Sequence, residues 1–497
     1  MDALSLDNLA LGLRTAFMAE NLLFCFIGVT LGTFIGVLPG IGALAAVAML
    51  LPVSFHLEPA TALVMLAGVY YGAEYGGSIA SIILNIPGTP SASVTCLDGY
   101  PMAQQGRAGV ALFMTAIASF CGGIMGVMVM VFLSPVLATV ALSFGPTEYF
   151  SVMVLGLIAA SIVSQGGAVK GVLMVTTGVM LSTVGVDINT GVERFTGGII
   201  ELRDGVSLVI MAMGLFGISE VVISIHGNLM KRDEQKIDFA SFFPTRDEWF
   251  RSIGPVLRSG SIGSFFGALP GTGQTVASFV GYAIEKRVSK NGPKFGTGVI
   301  EGIMSPESAN NAAAQTAFIP TLTLGIPGSA TMALMLGALM IHGIIPGPRL
   351  MTEHADLFWG LIGSFLVGNV LLLVLNIPLI GIWVRILRVP YHLMYPTIVV
   401  LLCVGVYSIN NSVFDIWVML VIGVMGYIMR LFQFEPAPLL IGFVLGSMIE
   451  EFMRRALLLS RGDFMVFLER PISAGFLAAA ALILAWGIWS GFKARAD

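Results

Sequence analysis

Four Pro-Gly breaks interrupt long apolar runs of this 497-residue chain, and they form two matching pairs. One pair is GVLPGIGAL (36–44) and GALPGTGQT (267–275); the other is NIPGTPSAS (85–93) and GIPGSATMA (325–333). Proline removes a backbone donor and glycine admits conformations that other residues avoid, so each break frees amides and carbonyls. In an apolar interior such groups must be satisfied by protein or by a water-filled cavity. Small hydroxyl residues follow the second pair: Thr89, Ser91 and Ser93, then Ser329 and Thr331. A half-helix starting there turns its amides and positive dipole end toward an anion. Pro87, Gly88, Thr89, Ser91 and Ser93, with Pro327, Gly328, Ser329 and Thr331, are therefore candidates for holding an anionic solute. Carbonyls freed at the first pair suit a hard cation such as Na⁺. Those candidates are Pro39, Gly40, Gly42, Pro270, Gly271, Thr272 and Gly273, with Asn85 and Thr275 as further oxygen donors. A packing kink is the better explanation of one such break alone; four, placed twice by the same repeat, favour a site.

Two carboxylates lie inside apolar stretches. Glu74 stands in YYGAEYGGS, and Glu307 stands in SPESANNAAAQ with Asn310 and Asn311 after it. Ionisable groups at membrane depth are expensive and usually functional. These four residues are candidates for coordinating a cation or carrying a coupling proton; the alternative is a structural role, hydrogen-bonded between helices. The five histidines have no partners at helical spacing, so no metal beyond Na⁺ is expected and no cofactor is implied. There is no HExxH, nucleophile elbow or aspartate pair, and the chain is not expected to be an enzyme. GALPGTGQT fails as a Walker A loop: Gln274 stands where lysine belongs and the spacing is off by one.

The elements that must position these groups follow from composition. The chain is 56% hydrophobic and 11% charged, with mean hydropathy +0.91, whereas soluble domains carry about 25% charged residues. Runs of 18 or more apolar residues recur from end to end. Sixty glycines and 23 prolines argue for closely packed, broken helices rather than a β-barrel. The expected fold is an all-α polytopic membrane protein lodged in the lipid bilayer. The acidic start MDALSLDNLA lacks a basic n-region and does not read as a cleaved signal. Cys25, Cys96, Cys121 and Cys403 have neither disulfide nor metal spacing. No basic, aromatic-interleaved patch suggests nucleic acid.

The breaks also reveal an internal repeat. GTFIGVLPGIGA (32–43) and GSFFGALPGTGQ (263–274) share seven of twelve positions. The expected organisation is an N-terminal segment (1–20), a first membrane repeat (21–226), a cytoplasmic linker (227–254), a second repeat (255–460) and a C-terminal span and tail (461–497). Lys and Arg concentrate beside the linker, with six between 227 and 258 and four more in the loop 285–294. One apolar stretch separates these two basic groups. If it dips into the bilayer and returns, both groups stay on the inner face, as the positive-inside rule wants. The expectation is two inverted-topology repeats, each opening with a re-entrant hairpin and containing a broken helix, the build of a secondary transporter.

Taken in order, GVLPGIG, YYGAEYGGSIASIILNIPGTP, CLDGYPMAQQGRAG, PESANNAAAQTAFIPTLTLGIPGS and GIIPGPRL carry a resemblance. Over residues 15–460 the chain resembles the large membrane subunit of bacterial tripartite tricarboxylate transporters. The resemblance implies uptake of a carboxylate solute, citrate or another di- or tricarboxylate, by a multi-pass protein of the bacterial inner membrane. It implies two protein partners: a periplasmic substrate-binding protein that delivers the ligand, and a small membrane subunit of about four helices. It also implies symport driven by an ion gradient, usually Na⁺, without ATP. Proton coupling through Glu74 or Glu307, a channel-like or ATP-driven permease subunit, and a membrane scaffold remain alternatives. The motifs identify a permease, not its solute.

Overall fold

Apolar runs punctuated by glycine and proline fold as helices along the whole chain. The computed structural model describes residues 6–38, 41–162, 167–187, 189–226, 242–269, 273–387 and 391–496. In the first half the helices are α1 (Leu6–Ala16), α2 (Ala19–Val37), α3 (Gly42–Ser54), α4 (Pro59–Leu84), α5 (Thr95–Met102), α6 (Ala108–Ala141), α7 (Pro146–Ile162), α8 (Ala168–Ser182), α9 (Leu208–Ala212) and α10 (Ser219–His226). A π-helical turn, Met213–Ile218, joins the last two into one apolar span. The second half holds α11 (Arg246–Gly267), α12 (Gly273–Val288), α13 (Ile300–Thr316), α14 (Phe318–Leu324), α15 (Ala330–Ile341), α16 (Leu350–Glu353), α17 (Ala355–Asn376), α18 (Ile380–Ile386), α19 (Tyr391–Asn410), α20 (Val413–Leu431), α21 (Pro436–Leu459), α22 (Val466–Glu469) and α23 (Pro471–Ala496). Among the described residues, seven helical stretches are long and apolar enough to cross a membrane. The protein is an all-α, multi-pass membrane protein.

The two halves repeat their local geometry. In the first, α2 lies so close to α4 that a Cβ on Gly32 or Gly36 would sit 2.3 Å from the carbonyl oxygen of Val69 or Ala73. In the second, a Cβ on Gly263 or Gly267 would sit 2.1 or 2.4 Å from the carbonyl oxygen of Ala309 or Ala313. Gly263 and Gly267 are the residues that align with Gly32 and Gly36. Small residues let backbones touch where lipid offers no hydrophobic drive for helix association. Conformation repeats as well. α4 ends on Asn85 at φ 56°, and α14 ends on Gly325 at φ 70°. α3 and α12 begin on Gly42 and Gly273, at φ 70° and 63°.

The two opening helix pairs differ in where charge falls. α11 and α12 run antiparallel, tied by Arg258 donating to Glu285 at 3.0 and 2.7 Å. From that ion pair to Gly267 the helix rises only about 14 Å, half of a bilayer core of about 30 Å. α2 has no such charged stop and is by itself long and apolar enough to cross.

Outside the spans, the strands β1 (Gly185–Val186) and β2 (Glu193–Arg194) pair antiparallel. Asn189 N–H donates to the Asp187 carboxylate at 2.8 Å, with further bonds from the Thr190 N–H and from Arg454 at 2.7 Å. These bonds, the Asn189 amide first, hold the Asp187 carboxyl below the usual aspartate range.

Candidate functional site

Between the halves lies one cavity of about 820 Å³. Small-molecule sites commonly enclose about 300–1,000 Å³. The break after α4 contributes Pro87, Gly88, Thr89, Ser91 and Ser93, and the break before α15 contributes Ser329 and Thr331. Gly42 and Thr275 line it from the starts of α3 and α12, and Glu74 lines it from α4. Thr89 and Ser91 occupy the repeat positions of Ser329 and Thr331, so the two halves offer hydroxyls from equivalent places. Asn85, Gly273, Pro327 and Gly328 stand behind this lining, not in it. Pro39, Gly40, Pro270, Gly271 and Thr272 lie outside the described residues, as does the linker from 227 to 241.

Equivalent hydroxyls have different partners. Thr89 Oγ1 donates to a Glu74 carboxylate oxygen at 3.2 Å, Ser91 Oγ donates to the same oxygen, and Thr89 and Ser91 share a bond of 2.9 Å. Gln274 Nε2, from the second half, reaches the other Glu74 oxygen at 3.1 Å. Glu74 is buried, and these three donors are what makes a carboxylate tolerable there. Ser329 is instead an ordinary N-cap, its Oγ accepting the Met332 N–H at 3.3 Å. α15 therefore starts at its break, with Ser329, Ala330 and Thr331 of its first turn lining the cavity. After Thr89 there is only a four-residue 3₁₀ turn, Pro90–Ser93, before α5.

Glu307 belongs to a separate buried cluster. It accepts from Thr95 Oγ1 and from Ser119 Oγ at 3.2 Å. Asn311 Nδ2 donates to Asn310 Oδ1 at 2.8 Å and to the Glu307 carbonyl at 3.1 Å. None of Glu307, Asn310 and Asn311 lines the cavity. Asp98, in CLDGYP, ties the halves together instead. One of its oxygens accepts the N–H groups of Gly296, Gly298 and Val299, each at 2.9 Å, and the other accepts Tyr282 OH at 2.9 Å.

The sequence motifs missed one wall of the cavity. Glu220 of α10 pairs with Arg430 of α20, and Phe216, Gln433, Phe434 and Glu435 complete that side. Two charges of opposite sign near the ends of apolar runs were the available signal. Nothing local pairs residues 210 positions apart.

Broken helices repeated about a shared cavity, inside a multi-pass helical bundle, are the build of a membrane transporter. The chain belongs to the tripartite tricarboxylate transporter TctA family, whose description matches residues 22–441, and it is thereby the large membrane component of such a system. It is 46% identical over 500 residues to an uncharacterized 52.8 kDa protein of the TAR-I ttuC' 3' region of Agrobacterium vitis, covering 100% of this chain and 98% of that one. It is 49% identical over 235 residues to an uncharacterized protein of the TAR-II ttuC' 3' region of the same organism, covering 47% of this chain and 97% of that one. No solved structure matches the chain.

Proposed function

We propose that this chain takes up a carboxylate solute of the di- or tricarboxylate class across the inner membrane by symport with Na⁺. A periplasmic binding protein delivers the solute, and a small membrane subunit completes the complex. The observation that carries the reading is the cavity lined by hydroxyls from both breaks and by the first turn of α15. Amides, hydroxyls and a helix N-terminus stabilise an anion without leaving a full positive charge in the span once the solute departs. A hard cation takes oxygen ligands, and Glu74, Thr89, Ser91 and Thr275 place four oxygen-bearing side chains along the same lining. The halves are inverted relative to one another, and the α11–α12 pair enters from the linker side.

The test is uptake of radiolabelled citrate into proteoliposomes holding all three components, with the membrane potential and pH gradient clamped at zero. An inward Na⁺ gradient should drive accumulation. Ser329→Ala should weaken apparent affinity for the solute by about 1.5–3 kcal/mol, roughly 10- to 150-fold, for one lost bond to a charged group, and Thr89→Ala should weaken the dependence on Na⁺. Uptake that ignores Na⁺, follows a pH gradient and disappears in Glu74→Gln would reassign coupling to a proton on that carboxylate. Unchanged solute affinity in Ser329→Ala together with unchanged Na⁺ dependence in Thr89→Ala would make the breaks structural.

A further inference from the structure

The wall formed by Glu220, Arg430 and Gln433 has no role in the reading above. Resting on that carboxylate reading, we propose that Arg430 is the cation that receives a carboxylate of the solute, and that Glu220 occupies the guanidinium until the solute displaces it.

Charge is the first argument. Arg430 is the one basic side chain among the described residues lining the cavity, against the carboxylates of Glu74, Glu220 and Glu435. A solute with two or three carboxylates enters a space where acids outnumber bases. The hydroxyls and the α15 amides are neutral donors, whereas a guanidinium supplies both a full charge and a planar fork that matches a carboxylate. Glu74 already has Thr89, Ser91 and Gln274 as donors and needs no arginine.

Exposure is the second. The Arg430 and Glu220 side chains are 29% and 20% exposed. A pair that keeps contact with cavity water is weaker than a sealed one, because water can take up a displaced partner. Exchange of one carboxylate for another at the guanidinium leaves the number of ion pairs unchanged, and the released Glu220 stays in the cavity, where water can solvate it.

The third is how firmly the turn after Arg430 is built. Arg430 stands in the last turn of α20. Phe434 N–H closes that helix end by donating to the Met429 carbonyl at 2.8 Å, with Gln433 at φ 59°. Glycine or asparagine normally fills such a left-handed position. A glutamine held there, with its side chain lining the cavity, fits the association of backbone strain with functional sites. Lys170 fixes the turn from outside: its Nζ donates to the Phe432 carbonyl at 2.8 Å and sits 5.0 Å from the Phe434 ring centre.

The test is calorimetric binding of citrate, with succinate in parallel, to the purified full chain in nanodiscs. Arg430→Gln should weaken citrate binding about tenfold or more. Arg430→Lys should fall between that variant and the wild type, because an ammonium keeps the charge but loses the fork. Glu220→Gln should tighten binding about two- to fivefold by removing the competitor. The opposite signs are diagnostic. Equal weakening in Arg430→Gln and Glu220→Gln would show a structural tie and overturn the proposal, as would wild-type affinity in Arg430→Gln. Should Arg430→Gln fail to fold, Glu220→Gln decides alone, since it keeps the cation; unchanged or weaker binding there overturns the proposal. A wild type that binds citrate, with Ser329→Ala weakened and Arg430→Gln not, sinks this inference alone. A wild type that binds neither acid sinks the carboxylate reading, and this inference with it.

Discussion

The internal repeat supplies its own control for a steric prediction. Gly88 and Gly328 are the glycines of the two second breaks and occupy equivalent positions. A Cβ added to Gly88 would stand 2.1 Å from the Gly36 carbonyl oxygen and 2.5 Å from Gly77 Cα. Ordinary contact begins at 3.4 Å, so the crossing of three backbones would have to open by about 1.3 Å. Both obstacles are backbone, and no rotamer change relieves them. Overpacking of this kind costs about 1–3 kcal/mol, and the immobility of these neighbours puts Gly88→Ala at the upper end. A Cβ on Gly328 would meet only the Gly267 carbonyl at 3.7 Å and Ala317 at 3.8 Å or beyond, in a conformation open to any residue. Gly328→Ala should therefore stay within about 0.5 kcal/mol of the wild type or gain slightly, because alanine restricts the unfolded chain. The assay is thermal unfolding of the detergent-purified protein, followed by thiol-reactive dye at the four native cysteines. Gly88→Ala should melt several degrees lower and Gly328→Ala at the wild-type temperature. Equal melting of the two variants would refute the claim that the first half closes on a three-backbone crossing that the second half lacks. Uptake alone does not test it, since both glycines belong to the candidate solute site.

Three other outcomes follow from particular contacts. Single cysteines at Arg258 and Lys286 should label from the same membrane face, because Arg258 is bonded to Glu285 across the α11–α12 pair; labelling from opposite faces would end the re-entrant reading. Asp98→Asn should lower stability by about 1.5–3 kcal/mol by weakening the acceptor of three N–H groups, and Tyr282→Phe by about half as much; melting of both variants at the wild-type temperature would remove the strut between the halves. The Asp187 carboxyl is depressed in the folded protein, so its contribution is present above its unfolded pKa of about 3.9 and is lost as pH falls through the lower folded value. Acid-protease cleavage of the 183–207 segment should accelerate only below about pH 4, and Asp187→Asn should remove that acid step.

The fold class was legible because composition and glycine spacing act on every residue of the chain. Hydropathy alone required helices crossing a bilayer, and LPGxG written twice marked α2–α3 and α11–α12 as equivalents. Half of the site was legible too: hydroxyls after a Pro-Gly break are a local pattern, and Thr89, Ser91, Ser93, Ser329 and Thr331 all reach the cavity. The ion pair that ties α11 to α12 was not, because a matched motif does not fix where charge falls, and only the second pair carries Arg258 and Glu285. Nor could periodicity separate Glu74 from Glu307. Both lie in small-residue helices, yet only Glu74 borders the cavity. Gln274 was visible chiefly as a failed Walker lysine; its bond to Glu74 depends on a fold-level approach of residues 200 apart.

The residues that depart from the repeat concentrate the charge. α4 and α14 end at equivalent positions, so Glu74 corresponds to Ala314, and Glu307 corresponds to Ala67. Each half therefore buries one carboxylate where the other half has alanine. The frame is repeated: Gly32 and Gly36 of α2 pack against α4, Gly263 and Gly267 of α11 pack against α13, and left-handed residues stand at both helix ends. A strictly symmetric site would give both sets of hydroxyls the same task. Glu74 prevents this, because it draws Thr89 and Ser91 onto itself as donors while Ser329 caps α15. An anion in the cavity then finds better donors on the α15 side, and a cation finds better acceptors on the Glu74 side. Binding of two unlike ions side by side needs that polarity, since a dipolar pocket stabilises an ion pair that neither half would stabilise alone. Glu74→Ala, which makes the first half resemble the second, should release Thr89 and Ser91 as anion donors. It should leave citrate binding measurable in the calorimeter while abolishing its dependence on Na⁺. Na⁺-dependent binding that survives Glu74→Ala would show that the asymmetry of the carboxylates has no part in coupling.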